Sequence, residues 1–412
     1  MRHSPLYELT FSVYLPSFLV GVGQQAMLLM LPLYALEIGG GAGAAAVLLG
    51  MKGIGTMLSD VPSGIAVSRF GDKNTMLGSL VICIVACVGF AFVDNTWALA
   101  CLSLVFGVGV GGWMLARLHY ITERCPVAYR GRAMTVMAGI HRAGNFVGPA
   151  LAGIAATQLG YPSVFIGAAV LMVVGLGLVM ALTKGAAFRR PAESVEEQDE
   201  SGGAVRPLRQ RPKSPVGAIG RILREHRGIL ATAGAATILL QFIRAGRALL
   251  VPLWGEHIGL NAAEIGFAIS LSSVIDMSFF YVAGYVMDHW GRKWSSVPTM
   301  LFLALSLALL PFAHSQWAFV VVVLISGLGN GFGTGIVMTL GADFSPSENR
   351  GEFLGVWRFL GDTGSAVGPF VMGVVAQTFM LSGALWLTAG VGFAGAVMFA
   401  FLVPETLRRG RQ

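Results

Sequence analysis

Twelve apolar blocks of roughly 20 residues run through this chain, near 10–35, 45–66, 75–93, 97–121, 131–157, 161–182, 229–253, 263–286, 295–313, 316–341, 352–378 and 382–403. A helix of about 20 residues crosses the hydrocarbon core of a bilayer. No water is available there to satisfy exposed backbone, so only helices and closed barrels span it. Blocks this long and this continuously apolar are helices, since barrel strands are shorter and alternate. Charged residues make up 12% of the chain, about half the share usual in soluble domains. The reading is an all-α integral membrane protein, its spans numbered 1 to 12 in chain order.

The basic residues orient those spans, because Lys and Arg concentrate in cytoplasmic loops. With the N-terminus inside, 22 of the 28 Lys and Arg fall in cytoplasmic segments, six lie within spans, and none falls in an outer loop. Both termini are therefore expected in the cytoplasm of a cell-membrane protein. The net charge of +7 reflects these loops and calls for no nucleic-acid partner. The first block is too long for a signal-peptide core and reads as a retained helix. The four cysteines, Cys83, Cys87, Cys101 and Cys125, form no metal or disulfide pattern, and no cofactor is expected.

A shift of 220 residues superposes the chain on itself. Pro32 meets Pro252, Gly39 meets Gly259, Gly71 meets Gly291 and Trp97 meets Trp317; Gly107, Gly109 and Gly111 meet Gly327, Gly329 and Gly331. Arg130–Gly131 meets Arg350–Gly351, and Gly148–Pro149 meets Gly368–Pro369. A constant offset implies two pseudo-symmetric six-helix bundles inserted in the same direction, an arrangement found in transporters. The expected domains are 1–183 and 228–412, with residues 184–227 as a cytoplasmic linker rich in charge, Pro, Gly and Ser. Its end, VGAIGRILREHRG, reads either as a basic amphipathic helix on the inner surface or as a solvated tether.

After span 2 the chain reads GIAVSRFGDK and after span 8 GYVMDHWGRK, which resemble the G-x-x-x-D-[RK]-x-G-[RK]-[RK] loop of the major facilitator superfamily. The resemblance covers essentially the whole chain and implies the facilitator fold of twelve helices. It assigns a cytoplasmic gate to Gly64, Ser68, Arg69 and Gly71, and to Gly284, Asp288, Gly291 and Arg292. Glu123 and Asp343, at repeat-related helix ends, are natural partners for the loop cations. Ser68 stands where the family carries an acid. The stretches RAGNFVGPALAG and GSAVGPFVMG look like the helix-bend motif of the drug:proton antiporter branch, through Gly144, Gly148, Pro149, Gly364, Gly368 and Pro369. Small residues also permit tight helix packing, which is the plainer alternative. The arginine of span 4 common in that branch is absent; Ser103 stands near its place.

Ionisable residues within spans are costly and face a cavity or each other. Lys52 lies twelve residues before Gly64 and Asp362 twelve after Arg350, which puts both about 18 Å deep. In facilitator architecture span 2 packs on 11 and span 5 on 8. The expected pairs across those seams are Lys52 with Asp362, Asp60 with Arg358, and Asp276 with His141 and Arg142. They either hold the halves together or exchange protons as partners separate; Asp362 is the first candidate for exchange, then Asp60 and Asp276. Span 7, expected to line the cavity, carries Arg244 and Arg247, and span 1 opposes them with Gln24 and Gln25. A guanidinium suits carboxylate or phosphate, so this set favours an anionic or zwitterionic substrate. Arg117, close to the inner end of span 4, is expected to snorkel inward.

These features point to a monomeric secondary transporter in the lipid bilayer. It would move a small organic solute by alternating access, with proton-coupled export ahead of facilitated or proton-coupled uptake. A membrane sensor or lipid-binding protein on the same scaffold is the alternative of another class. No nucleophile elbow, metal run or phosphate loop suggests an enzyme.

Overall fold

The structure, a computed structural model, describes residues 10–125, 127–183, 215–346 and 350–407. All twelve expected spans fall on helices, and no strand occurs among the described residues. Span 1 is Leu15–Glu37 and follows a π-helical turn at Thr10–Tyr14. Spans 2 and 3 share the run Gly41–Phe92, which turns at Gly71 with φ 79°. That dihedral is open to glycine at little cost and strained for other residues. Spans 4, 5 and 6 are Thr96–Arg124, Val127–Leu159 and Tyr161–Leu182. Asn95 starts span 4 by accepting from the amides of Trp97 and Ala98.

The second half repeats the plan with Ala235–His257, Ala262–His289 and Lys293–Leu309 as spans 7 to 9. A capping box of Asn261 and Glu264 opens span 8. Span 10 is broken: Gln316–Phe332 ends, Gly335 takes φ 78°, and Ile336–Phe344 resumes. Spans 11 and 12 share Arg350–Val397, with the turn at Phe379–Met380.

The repeat extends to individual hydrogen bonds. Tyr34 Oη donates to the Val93 carbonyl at 3.2 Å, and its counterpart Trp254 Nε1 donates to Ala313 at 3.1 Å. Lys73 Nζ caps the carbonyl of Met180 at 2.8 Å; Lys293 Nζ caps Ala400 at 2.7 Å. Gly107 presses on the Lys52 carbonyl, and Gly327 presses on the carbonyl of Ser272, the residue at the place of Lys52.

The bundles meet through span 1 on 7, 2 on 11 and 5 on 8. Toward the end remote from the chain termini, the end expected to face outward, the seams close tightly. A Cβ on Gly153 would strike the Ala262 carbonyl, one on Gly266 the Pro149 carbonyl, and one on Gly373 the Ala46 side chain. The Ala263 amide also donates to Thr157 Oγ1 at 3.1 Å across the 5/8 seam.

The glycine–proline motifs serve packing. Gly144 lies against Gly21, and a Cβ on Gly148 would come within 2.7 Å of the Val22 carbonyl. In the other half Gly364 meets the Ile238 carbonyl, while Gly368 lies by Phe242 and Ala245. The helices continue through Pro149 and Pro369, in close contact with spans 1 and 7.

Of the linker, residues 184–214 lie outside the described residues. Its end is a helix, Pro215–Glu225, that packs on the inner end of span 11. Ile222 is buried, and the His226 ring meets Phe353 edge-on at 5.3 Å.

Candidate functional site

The 5/8 seam holds a buried polar network at mid-depth. Arg142 Nη1 donates to Asp276 Oδ1 at 2.6 Å, and the two side chains are 11% and 6% exposed. Asn330 Nδ2 donates to the other Asp276 oxygen at 2.8 Å, while Arg142 Nη2 donates to Thr334 Oγ1. The guanidinium also lies over the Phe280 ring, 4.8 Å from its centroid. This one ion pair ties span 5 of the first bundle to spans 8 and 10 of the second.

Arg244 continues the network. Its Nη2 donates to the Gly333 carbonyl, at the break in span 10, at 2.9 Å, and Nη1 donates to Gln241 Oε1 at 3.2 Å. Arg247 Nη2 donates to Ser272 Oγ at 2.8 Å. The expected floor, with glutamines facing arginines, is only half present. No hydrogen bond among the described residues joins Gln24 or Gln25 to Arg244 or Arg247; the arginines turn to spans 8 and 10 instead. Arg244 Nε and Gln24 Nε2 are among the donors that stay buried without a partner. His141 joins no pair with Asp276; it sits in the combined field of Arg117, Arg142, Lys52 and Asp276. Arg117 is buried at 8% exposure, which corrects the expected inward snorkelling.

At the 2/11 seam Arg358 Nη2 donates to Asp60 Oδ1 at 2.8 Å, as the sequence predicts. Arg358 Nε also lies 3.6 Å from Asp362 Oδ2, one turn along its own helix. One guanidinium thus serves two carboxyls. The expected Lys52–Asp362 pair does not form. The pseudo-symmetry explains why. Asp362 holds the place of Arg142, whose partner Asp276 corresponds to Thr56, so Lys52 is one turn too far along span 2.

The sequence family settles what scaffold carries these charges. The model of the Major Facilitator Superfamily matches residues 13–245 and again 233–411. The chain belongs to the Major Facilitator Superfamily. It is 32% identical over 177 residues to the staphyloferrin B transporter of Staphylococcus aureus, a match covering 41% of this chain and 42% of that protein. It is 24% identical over 201 residues to the multidrug resistance protein MdtG of Enterobacter lignolyticus, covering 47% of this chain and 48% of MdtG. Each match spans about half the relative's length. Among solved structures, the D-xylose–proton symporter superposes with TM-score 0.75 at 15% identity, over 98% of this chain and 99% of that one.

The two superfamily gate loops differ in charge. In the second half Arg292 Nε meets Asp343 Oδ2 at 2.9 Å, and its Nη1 lies 3.5 Å from Asp288. In the first half Asp72, at the place of Arg292, meets His119 Nδ1 at 2.6 Å. Latch polarity is reversed. The loop supplies the acid and span 4 the base, so the expected role of Glu123 falls away: Glu123 and Arg69 are exposed and join no ion pair among the described residues. Ser68 Oγ merely donates to the Ile65 carbonyl at 2.8 Å. Gly64 and Gly284 face open space.

Sequence reasoning passed over Asn330, Thr334, Ser272, Asp72 and Glu405. The 220-residue offset, which sets Asp72 against Arg292, carried the signal for the reversed latch. The run GNGFGTG at 329–335 carried it for the broken span. Glu405 accepts from the amides of Arg292 and Lys293 at 2.9 and 3.1 Å, and so ties the chain's end to the second gate loop. Partial burial pulls its carboxyl upward, but the amides of Arg292, Lys293, Leu407 and Thr406 outweigh that and hold it below its ordinary value.

Proposed function

We propose that this protein is a secondary transporter that moves a small organic anion or zwitterion outward by alternating access, in exchange for protons. The observation that carries the substrate class is the pair Arg244 and Arg247 on span 7. Both lie at mid-depth, bonded only to neutral groups and in no ion pair among the described residues. Guanidinium groups held this way offer themselves to a carboxylate or phosphate.

The Asp60–Arg358–Asp362 cluster supports proton coupling. With both carboxyls ionised it carries one excess negative charge, which a single proton cancels. Arg358 and Asp362 ride together on span 11, whereas Asp60 belongs to the other bundle. Parting of the 2/11 seam strips Asp60 of its cation and leaves Asp362 with its own. A carboxylate left alone in a poorly hydrated seam takes up a proton. Outward direction draws support from the antiporter-like stretches and from relatives named for multidrug resistance.

Proteoliposomes with an imposed pH gradient test this, with organic anions offered from either face. Anion-dependent proton movement is expected, lost in Asp60→Asn and Asp362→Asn while pH-independent anion exchange survives. Full pH-driven transport by both variants would leave the cluster a clasp between bundles. Flux driven only toward the lumen that represents the cytoplasm would reverse the direction.

A further inference from the structure

Four cations within the membrane spans have no carboxylate. Lys52, Arg117, Arg244 and Arg247 join none of the six ion pairs among the described residues. The intramembrane acids are already engaged. Asp276 lies in the field of Arg244 and Arg247, yet its oxygens are taken by Arg142 and Asn330. Asp60 and Asp362 share Arg358. Arg142, Arg244 and Arg247 therefore share a single carboxylate, Asp276.

The four are divided evenly between the bundles. Lys52 and Arg117 come from spans 2 and 4, Arg244 and Arg247 from span 7. Arg142 and Arg244 bond to adjacent residues at the break in span 10, Thr334 and Gly333, and His141, next to Arg142, feels the charges of Lys52 and Arg117. The repeat sharpens the point. Lys52 stands where the other half has Ser272, and Ser272 is the hydroxyl that Arg247 binds. Each half thus places its own cation at this level, by different residues. Arg244 Nε and Gln24 Nε2, one from each bundle, remain donors without acceptors. Charge and symmetry are short of the same thing, carboxylates on both sides of the bundle interface.

We infer that the transported solute is a dianion with acidic groups at two ends, a dicarboxylate, one end held by Arg244 and Arg247 and the other by Lys52 and Arg117. A single carboxylate would satisfy one bundle and leave the other pair uncompensated. A two-ended anion bridges both, and so couples its own binding to closure of the bundles on one another. This rests on the anion reading above and narrows it.

Detergent-purified protein is titrated with dicarboxylates from succinate to suberate and with phthalate, each against its monomethyl ester. The ester keeps the length and removes one charge. Ligand stabilisation is read as the shift in unfolding temperature. A diacid is expected to act at concentrations at least tenfold lower than its monoester. Lys52→Gln and Arg244→Gln should each bring the diacid down to the monoester level, and Lys52→Arg should restore the difference. Elution of the variants as monodisperse protein separates lost binding from lost folding. Equal action of diacid and monoester overturns the two-ended dianion and leaves the anion reading standing. No stabilisation by any acid overturns both.

Discussion

At the scale of single residues, the two inter-bundle pairs look alike in sequence and differ in physics. Arg142 and Asp276 are nearly sealed, whereas Arg358 and Asp60 are 44% and 21% exposed. Truncating one partner of a buried pair strands a charge, so Arg142→Ala should cost about 3–5 kcal/mol. The double change Arg142→Met with Asp276→Leu should recover most of it. Arg358→Ala should cost less than Arg142→Ala, because its carboxyl partners are less enclosed. Denaturant unfolding of the purified variants measures all three. The Asp60–Arg358 and Arg142–Asp276 pairings were legible from depth once the facilitator resemblance had set span 2 on 11 and span 5 on 8, because helix rise is fixed. The Lys52–Asp362 pairing was not, because depth says nothing about which way a side chain leaves its helix.

Glu405 gives a second residue-scale expectation. Its folded carboxyl titrates below the ordinary value of 4.5, so the tie to Arg292 and Lys293 contributes stability above that pH. The contribution fades as pH falls through the lower, folded value. Glu405→Gln should therefore lower the unfolding temperature at neutral pH, and the gap from the parent protein should close under strong acid. A gap that widens on acidification would refute the sign.

At the scale of helices, the spans were readable because their length is set by the bilayer, and a run of 20 apolar residues has few other uses. The interruption of span 10 escaped that reading. Hydropathy averages over a window, and glycines at 331, 333 and 335 raise no flag there although Gly335 takes a left-handed dihedral. The Gly153 seam is an element-scale feature with a clear test. A side chain there collides with the Ala262 carbonyl, so Gly153→Val should hold spans 5 and 8 apart at the outer end. A well-folded variant with transport reduced at least tenfold is expected. Labelling of a cysteine placed at Ala262 should rise at the same time; unchanged labelling would mean that the seam yields elsewhere.

At the scale of the whole molecule, the 220-residue repeat made the architecture legible, down to paired bonds such as Lys73 with Met180 and Lys293 with Ala400. The functional charges were harder to read because they are where the halves diverge. Asp362 faces Arg142 in the repeat, Lys52 faces Ser272, and Asp276 faces Thr56. Symmetry builds the frame, and chemistry sits in its exceptions. No single-copy pattern announces such a site; it emerges from comparing the copies.

The reversed latches set a limit on modular exchange. Residues 284–293 grafted in place of 64–73 would carry Arg292 to the position of Asp72, directly opposite His119. Backbone and glycines would fit, and a base would confront a base. The chimera should lose transport unless the grafted arginine takes Glu123, which stands at the place of Asp343; Glu123→Gln should then abolish what transport remains, and His119→Asp should restore it. Duplicated parts that still share a shape have, in this chain, ceased to be spare parts for one another.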